Sequence, residues 1–164
     1  MEIEIENICR IEGHADLSIK VRNGNVDDVQ LRIMENKRFF TQGVRGMMFN
    51  SVPTIVSRIC GTCSIAHLTC CIESVEKAIG VEPTEQTMLL RKLGMYGLMI
   101  RDHAMHLYLF CLPDIFNKDS VLDFKGAEEE KLLKDAFYVK GIGNDLCTHI
   151  LGRAVHPTFS NVGG

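Results

Sequence analysis

The chain has 164 residues, 46% of them hydrophobic and 24% charged, which is enough apolar content for one globular domain with a real core and excludes a disordered chain. A formal net charge of -3 and a pI near 6.1 exclude the basic surface that nucleic acid or an anionic membrane selects.

The chain opens Met-Glu-Ile-Glu-Ile-Glu, an alternation with the period of a strand, without the basic start and apolar run of a secretory signal. Leu17, Ile19 and Val21 alternate with Asp16, Ser18 and Lys20, and after Asn23-Gly24-Asn25 the apolar face resumes at Val29, Leu31 and Ile33. The segment reads as a β-hairpin. A two-residue loop would set Ile19 against Asp28, whereas a three-residue loop sets Ile19 against Val29 and Leu17 against Leu31, so three residues are expected, with Gly24 and Asn25 suited to positive φ.

Beyond Phe39 the period turns helical, with 52–59 as a short helix or turn and 63–79 as a longer helix stopped at Gly80. Pro83-Thr84-Glu85 opens the next helix, expected to run to about 111, with Pro113 closing it and with most faces packed. Its apolar stretch, 95–113, is interrupted by Arg101, Asp102, His103 and His106, a cluster costly at bilayer depth, so it reads as a buried helix and no transmembrane segment is expected. A more charged amphipathic helix follows over 126–151. The expected fold class is α+β, mainly α: one domain over 1–164, with a β-hairpin region over 1–36 and a helical region over 37–164. The closing Gly163-Gly164 reads as a loop interrupted before its next element.

Seven cysteines, an odd number, include the adjacent Cys70-Cys71 and the pair Cys60-Gly61-Thr62-Cys63. This argues against a secreted disulfide framework and for a reducing, cytoplasmic location. Cys60 and Cys63 sit at an expected helix N-terminus, where the helix end favours thiolate, and Gly61 is expected to let the turn fold back tightly; the pattern suits a thiophilic metal. Cys-x-x-Cys also occurs in zinc sites and redox dithiols. A zinc ribbon needs a second pair in a loop, whereas Cys70 and Cys71 fall in a helix, and a thioredoxin-type dithiol needs a βαβ unit that the pattern lacks. Cys9, Cys70, Cys71, Cys111 and Cys147 read as small buried hydrophobes, His103 and His106 as core histidines with hydrogen-bond partners, and His156 as structural. Taken alone, Glu12 is an exposed turn residue and Asp114 a turn or cap residue after Pro113.

Arg58-Ile59-Cys60-Gly61-Thr62-Cys63 with His67 four residues on resembles the first metal-binding motif of nickel-iron hydrogenase large subunits. Arg10-Ile11-Glu12-Gly13-His14 resembles that family's opening motif, Asp102-His103 through Pro113-Asp114 its long core helix, and Gly152-Arg153-Ala154-Val155-His156-Pro157 through Gly163-Gly164 its mid-chain motif. The resemblance covers nearly the whole chain and is strongest to the cytoplasmic, sulfhydrogenase-like and deazaflavin-reducing branch.

It implies an incomplete large-subunit fold, a hairpin region followed by a bundle of long helices, and part of an oxidoreductase that cleaves dihydrogen heterolytically and reversibly. By motif position Cys60 would be a terminal nickel ligand and Cys63 a thiolate bridging nickel and iron. His67 would stand behind them, donating toward the bridging sulfur. Glu12 would relay protons and Asp114 would lie near the iron-bound carbonyl and cyanide ligands. The family's second pair, Asp-Pro-Cys-x-x-Cys-x-x-His, has no counterpart here, so activity would need a C-terminal half bearing it, with an iron-sulfur small subunit taking the electrons; alone, the chain would be inactive. Thr41 stands after Arg38-Phe39-Phe40 where much of the family has a glutamate, and its neutral oxygen implies weakened or absent magnesium. Two alternatives remain. One is a metal-free structural subunit related to the respiratory-complex quinone-site proteins, which lack the cysteine pair, and the other is a small zinc or redox module built on Cys60 and Cys63.

Overall fold

The computed structural model describes residues 1–8, 11–35 and 37–164. Cys9, expected as a small buried hydrophobe, and Arg10 of the opening motif lie outside these residues. The chain forms two compact units, Met1–Gly43 and Val44–Gly164.

The first unit is a three-stranded antiparallel sheet in the order β1-β2-β3, with β1 at Glu2–Ile5, β2 at Ala15–Arg22 and β3 at Asn25–Ile33, followed by α1 at Lys37–Gly43. The register is the expected one, Leu17 opposite Leu31 and Ile19 opposite Val29, so the apolar residues of both strands share a face. The loop is not. Asn23 and Gly24 alone form the turn, with φ of 53° and 79°, the pair of positive values that a tight hairpin turn of matching twist requires. A bulge between Lys20 and Val21 shifts the pairing from Lys20–Asp28 to Val21–Val26. Asp27 is therefore the extra residue, and it restores the parity that a three-residue loop was expected to supply. Ile3 and Ile5 extend the sheet by pairing with Ile19 and Leu17.

The second unit is helical: α2 at Val52–Val56, α3 at Ser64–Ile79, α4 at Glu85–Met105, a π-helical turn at His106–Cys111, α5 at Leu112–Ile115, a 3-10 turn at Val121–Asp123, and α6 at Ala127–Leu151. Gly80, with φ of 71°, stops α3 and donates its N–H to the Glu76 carbonyl, as a left-handed C-terminal residue does. Thr84 caps α4 by accepting from the Thr87 N–H at 3.2 Å. The expected stop at Pro113 is not observed. The wide turn at 106–111 precedes the proline, which then sits in the first turn of α5, where its missing N–H costs no helical bond.

α4 and α6 form the closest helix pair. A Cβ on Gly143 would stand 2.8 Å from the Arg101 nitrogen and from the Gly97 oxygen, so the two backbones touch where both helices carry glycine. Around that crossing Ile65, Leu98, Cys147 and Leu151 make the core. Ile65 and Ile72 are 1% and 0% exposed, each worth about 1.5–3 kcal/mol of burial.

The expectation that α4 is packed on most faces is corrected. Leu89, Tyr96 and Met99 on α4 and Phe137 and Tyr138 on α6 stand exposed, because α3 and α6 cover only part of its circumference. His103 and His106 are likewise exposed and not core, although His106 Nδ1 lies 3.4 Å from the Cys111 sulfur. Among the described residues no helix is long and apolar enough to cross a membrane.

Candidate metal centre

The thiol pair lies in the short link from α2 to α3. α2 ends in tighter turns, Arg58 N–H to the Ile55 carbonyl and Ile59 N–H to the Val56 carbonyl, which deliver Cys60 to the mouth of the next helix. Cys63 is the N-cap of α3, with φ of -101° and ψ of 21°. Its N–H donates to the Cys60 sulfur at 3.4 Å, which ties the two cysteines of the loop together. Ser64 N–H to the Gly61 carbonyl at 3.5 Å and His67 N–H to the Cys63 carbonyl at 3.1 Å close the turn. Gly61 makes this turn without a positive φ. A Cβ there would meet only Val155 Cγ1, at 4.0 Å.

Two side chains from elsewhere in the unit hold this loop. Arg101 of α4, 3% exposed, donates Nη2 to the Thr62 carbonyl and Nη1 to the Ala154 carbonyl. His156, in the segment after α6, donates its backbone N–H to Ser64 Oγ at 3.0 Å, and its Nδ1 lies 2.9 Å from the Ser57 carbonyl. The structural reading of His156 agrees with these bonds.

The remaining expected residues are placed as follows. His67 is half-buried one turn into α3, Asp114 is exposed in the first turn of α5, Glu12 is exposed in a bend of the first unit, and Thr41 is exposed in α1. Cys60 and Cys63 are both half-buried. Cys147 is buried as expected, Cys71 and Cys111 are half-buried, and Cys70 is exposed, a correction explained by its place on the outer face of α3. Burial pushes the thiols of Cys71 and Cys147 up. The Cys70 charge adds to the rise at Cys71, and the Arg101 charge partly offsets that at Cys147. Both stay protonated at neutral pH and are poor ligands.

Among the described residues no group of three or more His, Cys, Asp or Glu side chains is placed to hold a metal ion. Cys60 and Cys63 offer two soft sulfurs on a loop fixed by hydrogen bonds. Such a pair suits a thiophilic metal and leaves room for further ligands. Sequence reasoning missed Arg101 as a support for the loop. The signal was an arginine at the centre of an apolar helical stretch, which has to find acceptors once buried.

The family model described as nickel-dependent hydrogenase matches residues 41–147, and a HoxL-like model matches residues 2–36. The chain is 35% identical over 164 residues to the alpha subunit of sulfhydrogenase 2 of Pyrococcus furiosus, covering 100% of this chain and 40% of that protein. It is 34% identical over 170 residues to a protein of the vhu F420-non-reducing hydrogenase of Methanocaldococcus jannaschii, with 99% and 40% covered. The fold is that of an NAD+-reducing [NiFe]-hydrogenase solved in the H2-reduced state, at a TM-score of 0.75 and 24% identity, covering 100% of this chain and 38% of that one. The chain therefore spans about 40% of the length of the relatives it matches.

Proposed function

Because the chain belongs to the nickel-dependent hydrogenase family and corresponds to the N-terminal part of its large subunit, we propose that it supplies Cys60 and Cys63 as two thiolate ligands of a nickel-iron centre. When bound, that centre would supply the heterolytic splitting of dihydrogen, whose net oxidation yields two protons and two electrons.

What supports the reading is one observation above the others: both thiols lie on a single half-buried loop, and the Cys63 N–H donates to the Cys60 sulfur at 3.4 Å. That arrangement places two soft sulfur donors on one loop, as a thiophilic metal needs. Cys60 and Cys63 would hold the centre through their sulfurs. His67, one turn along α3, would donate toward the Cys63 sulfur and tune its electron density. Glu12 would accept and release protons, and Asp114 would border the iron's carbonyl and cyanide ligands; both assignments rest on motif position. Thr41, with a neutral oxygen, leaves the magnesium position weak or vacant.

Two thiolates are half of the family's ligand set, so the remaining pair would come from the C-terminal part of the large subunit, and the electrons would leave through an iron-sulfur small subunit. The chain alone would then be inactive.

The experiment is purification through a tag on this chain, under conditions that keep its native associates, with nickel, iron and peptide identity determined together. Nickel and iron in equal amounts, with sequence bearing a second cysteine pair, are expected. Absence of both nickel and such sequence would contradict the proposal.

A further inference from the structure

We infer that Arg101 is a positioning residue for the thiol pair, fixing the Cys60–Cys63 loop in its binding shape before any metal arrives, with His156 as the second anchor. The inference rests on the reading of Cys60 and Cys63 as metal ligands.

Arg101 lies on α4 at 3% exposure, and its guanidinium spends both terminal nitrogens on main-chain oxygens, those of Thr62 and Ala154. Thr62 is between the two cysteines, so this bond holds the inside of the loop. His156 holds its outside: Nδ1 binds the Ser57 carbonyl before Cys60, and the N–H binds Ser64 Oγ after Cys63. A carbonyl oxygen only accepts, so Nδ1 carries the proton. His156 adopts a φ of 53° to reach both partners, a conformation uncommon outside glycine and held here by the two bonds. Three fixed points, at residues 57, 62 and 64, therefore bracket both sulfurs.

Among the described residues, Arg101 forms no ion pair with a carboxylate, so the main-chain oxygens of Thr62 and Ala154 are what its buried guanidinium holds. The fork of an arginine reaches two carbonyls at once, whereas a lysine ammonium in the same place reaches them one at a time.

The test compares wild type with Arg101→Lys and His156→Gln in the complex purified through this chain. Complex made without nickel is treated with iodoacetamide, and labelling is followed by peptide mass spectrometry at Cys60, Cys63, Cys70 and Cys147; nickel content is measured in complex made with nickel. In either variant, labelling of Cys60 and Cys63 is expected to quicken about fivefold or more, as a loop that opens more often does, while Cys147 stays protected. Nickel content is expected to fall by roughly tenfold, the usual cost of losing support behind metal ligands. Unchanged labelling of Cys60 and Cys63 overturns the inference. So does labelling of Cys147 that rises in step with theirs, because that reports general loosening. If Arg101→Lys does not accumulate, the same readout on His156→Gln decides. Wild-type complex that takes up no nickel would sink the ligand reading, and the labelling ratios would still decide the positioning role.

Discussion

Arg91 and Glu76 meet in a two-pronged ion pair inside the second unit, Nη1 to Oε2 at 2.8 Å and Nη2 to Oε1 at 2.7 Å, with each side chain 4% exposed. The same pair reaches the end of the chain: Arg91 donates to the Asn161 carbonyl at 3.1 Å, and the Gly163 N–H donates to Glu76 Oε1 at 2.7 Å. One buried contact thus ties α3, α4 and the closing segment together. Removing one partner by Glu76→Met strands a buried guanidinium and is expected to cost about 3–5 kcal/mol, whereas adding Arg91→Met should recover much of it. Denaturation midpoints of the wild-type, single-variant and double-variant chains in their complex check this; a double variant no better than either single would contradict it.

The pair also sets a pH dependence. Hydrogen bonding from Arg91 holds the Glu76 carboxyl below its ordinary value, helped by the Gly163 N–H and the Arg91 charge and opposed by burial. A carboxylate depressed in the folded state stabilises fully above its unfolded value, about 4.3, and that contribution is lost as pH falls through the depressed value. The wild-type midpoint should therefore drop in acid below about pH 4, and Glu76→Gln should flatten that part of the profile. Equal acid slopes in the two proteins would refute the assignment.

Glycine substitution at the α4–α6 crossing should be graded by what the new methyl meets. At Gly143 it meets main chain, the Arg101 nitrogen and Gly97 oxygen at 2.8 Å each, whereas at Gly94 its three nearest neighbours are side-chain atoms of Leu151, from 2.6 Å. Gly143→Ala must push the helices apart and is expected to cost about 3 kcal/mol, and Gly94→Ala nearer about 1 kcal/mol once Leu151 repacks. Thermal unfolding of the two variants tests the order, and a larger loss at Gly94 would reverse the account of the crossing.

The hairpin provides a local check. Gly24 has a φ of 79°, and a Cβ added there would meet nothing within 4 Å, so Gly24→Val is strained by its backbone alone, by about 1–2 kcal/mol. Asn23→Gly should be nearly neutral, because asparagine already tolerates its φ of 53°. Comparable losses at both positions would show that contacts rather than backbone set the turn.

Much of this was legible in the residues. Alternation fixed the pairing of Ile19 with Val29, because a slip of one residue would set apolar side chains opposite polar ones across the strands. It did not fix the loop, since Asp27 as a bulge and a longer turn satisfy parity equally. Gly80 and Thr84 marked helix ends through their own backbone chemistry, whereas Pro113 misled because a π turn ahead of it removed the clash. Cys60 and Cys63 were visible as a spaced pair. Arg101, Glu76 and Arg91 were not, since their partners lie 39, 15 and 15 residues away and no local pattern links such positions. The exposure of His103 and Leu89 went unread for a related reason: period tells which face is apolar, and not what covers it.

The most direct measurement is nickel K-edge X-ray absorption on the complex purified through this chain, in wild type and in Cys60→Ser and Cys63→Ser. The account predicts nickel in a sulfur-rich shell in wild type and its loss in both variants, with the complex still assembled. Nickel bound with unchanged sulfur coordination after either substitution would contradict it.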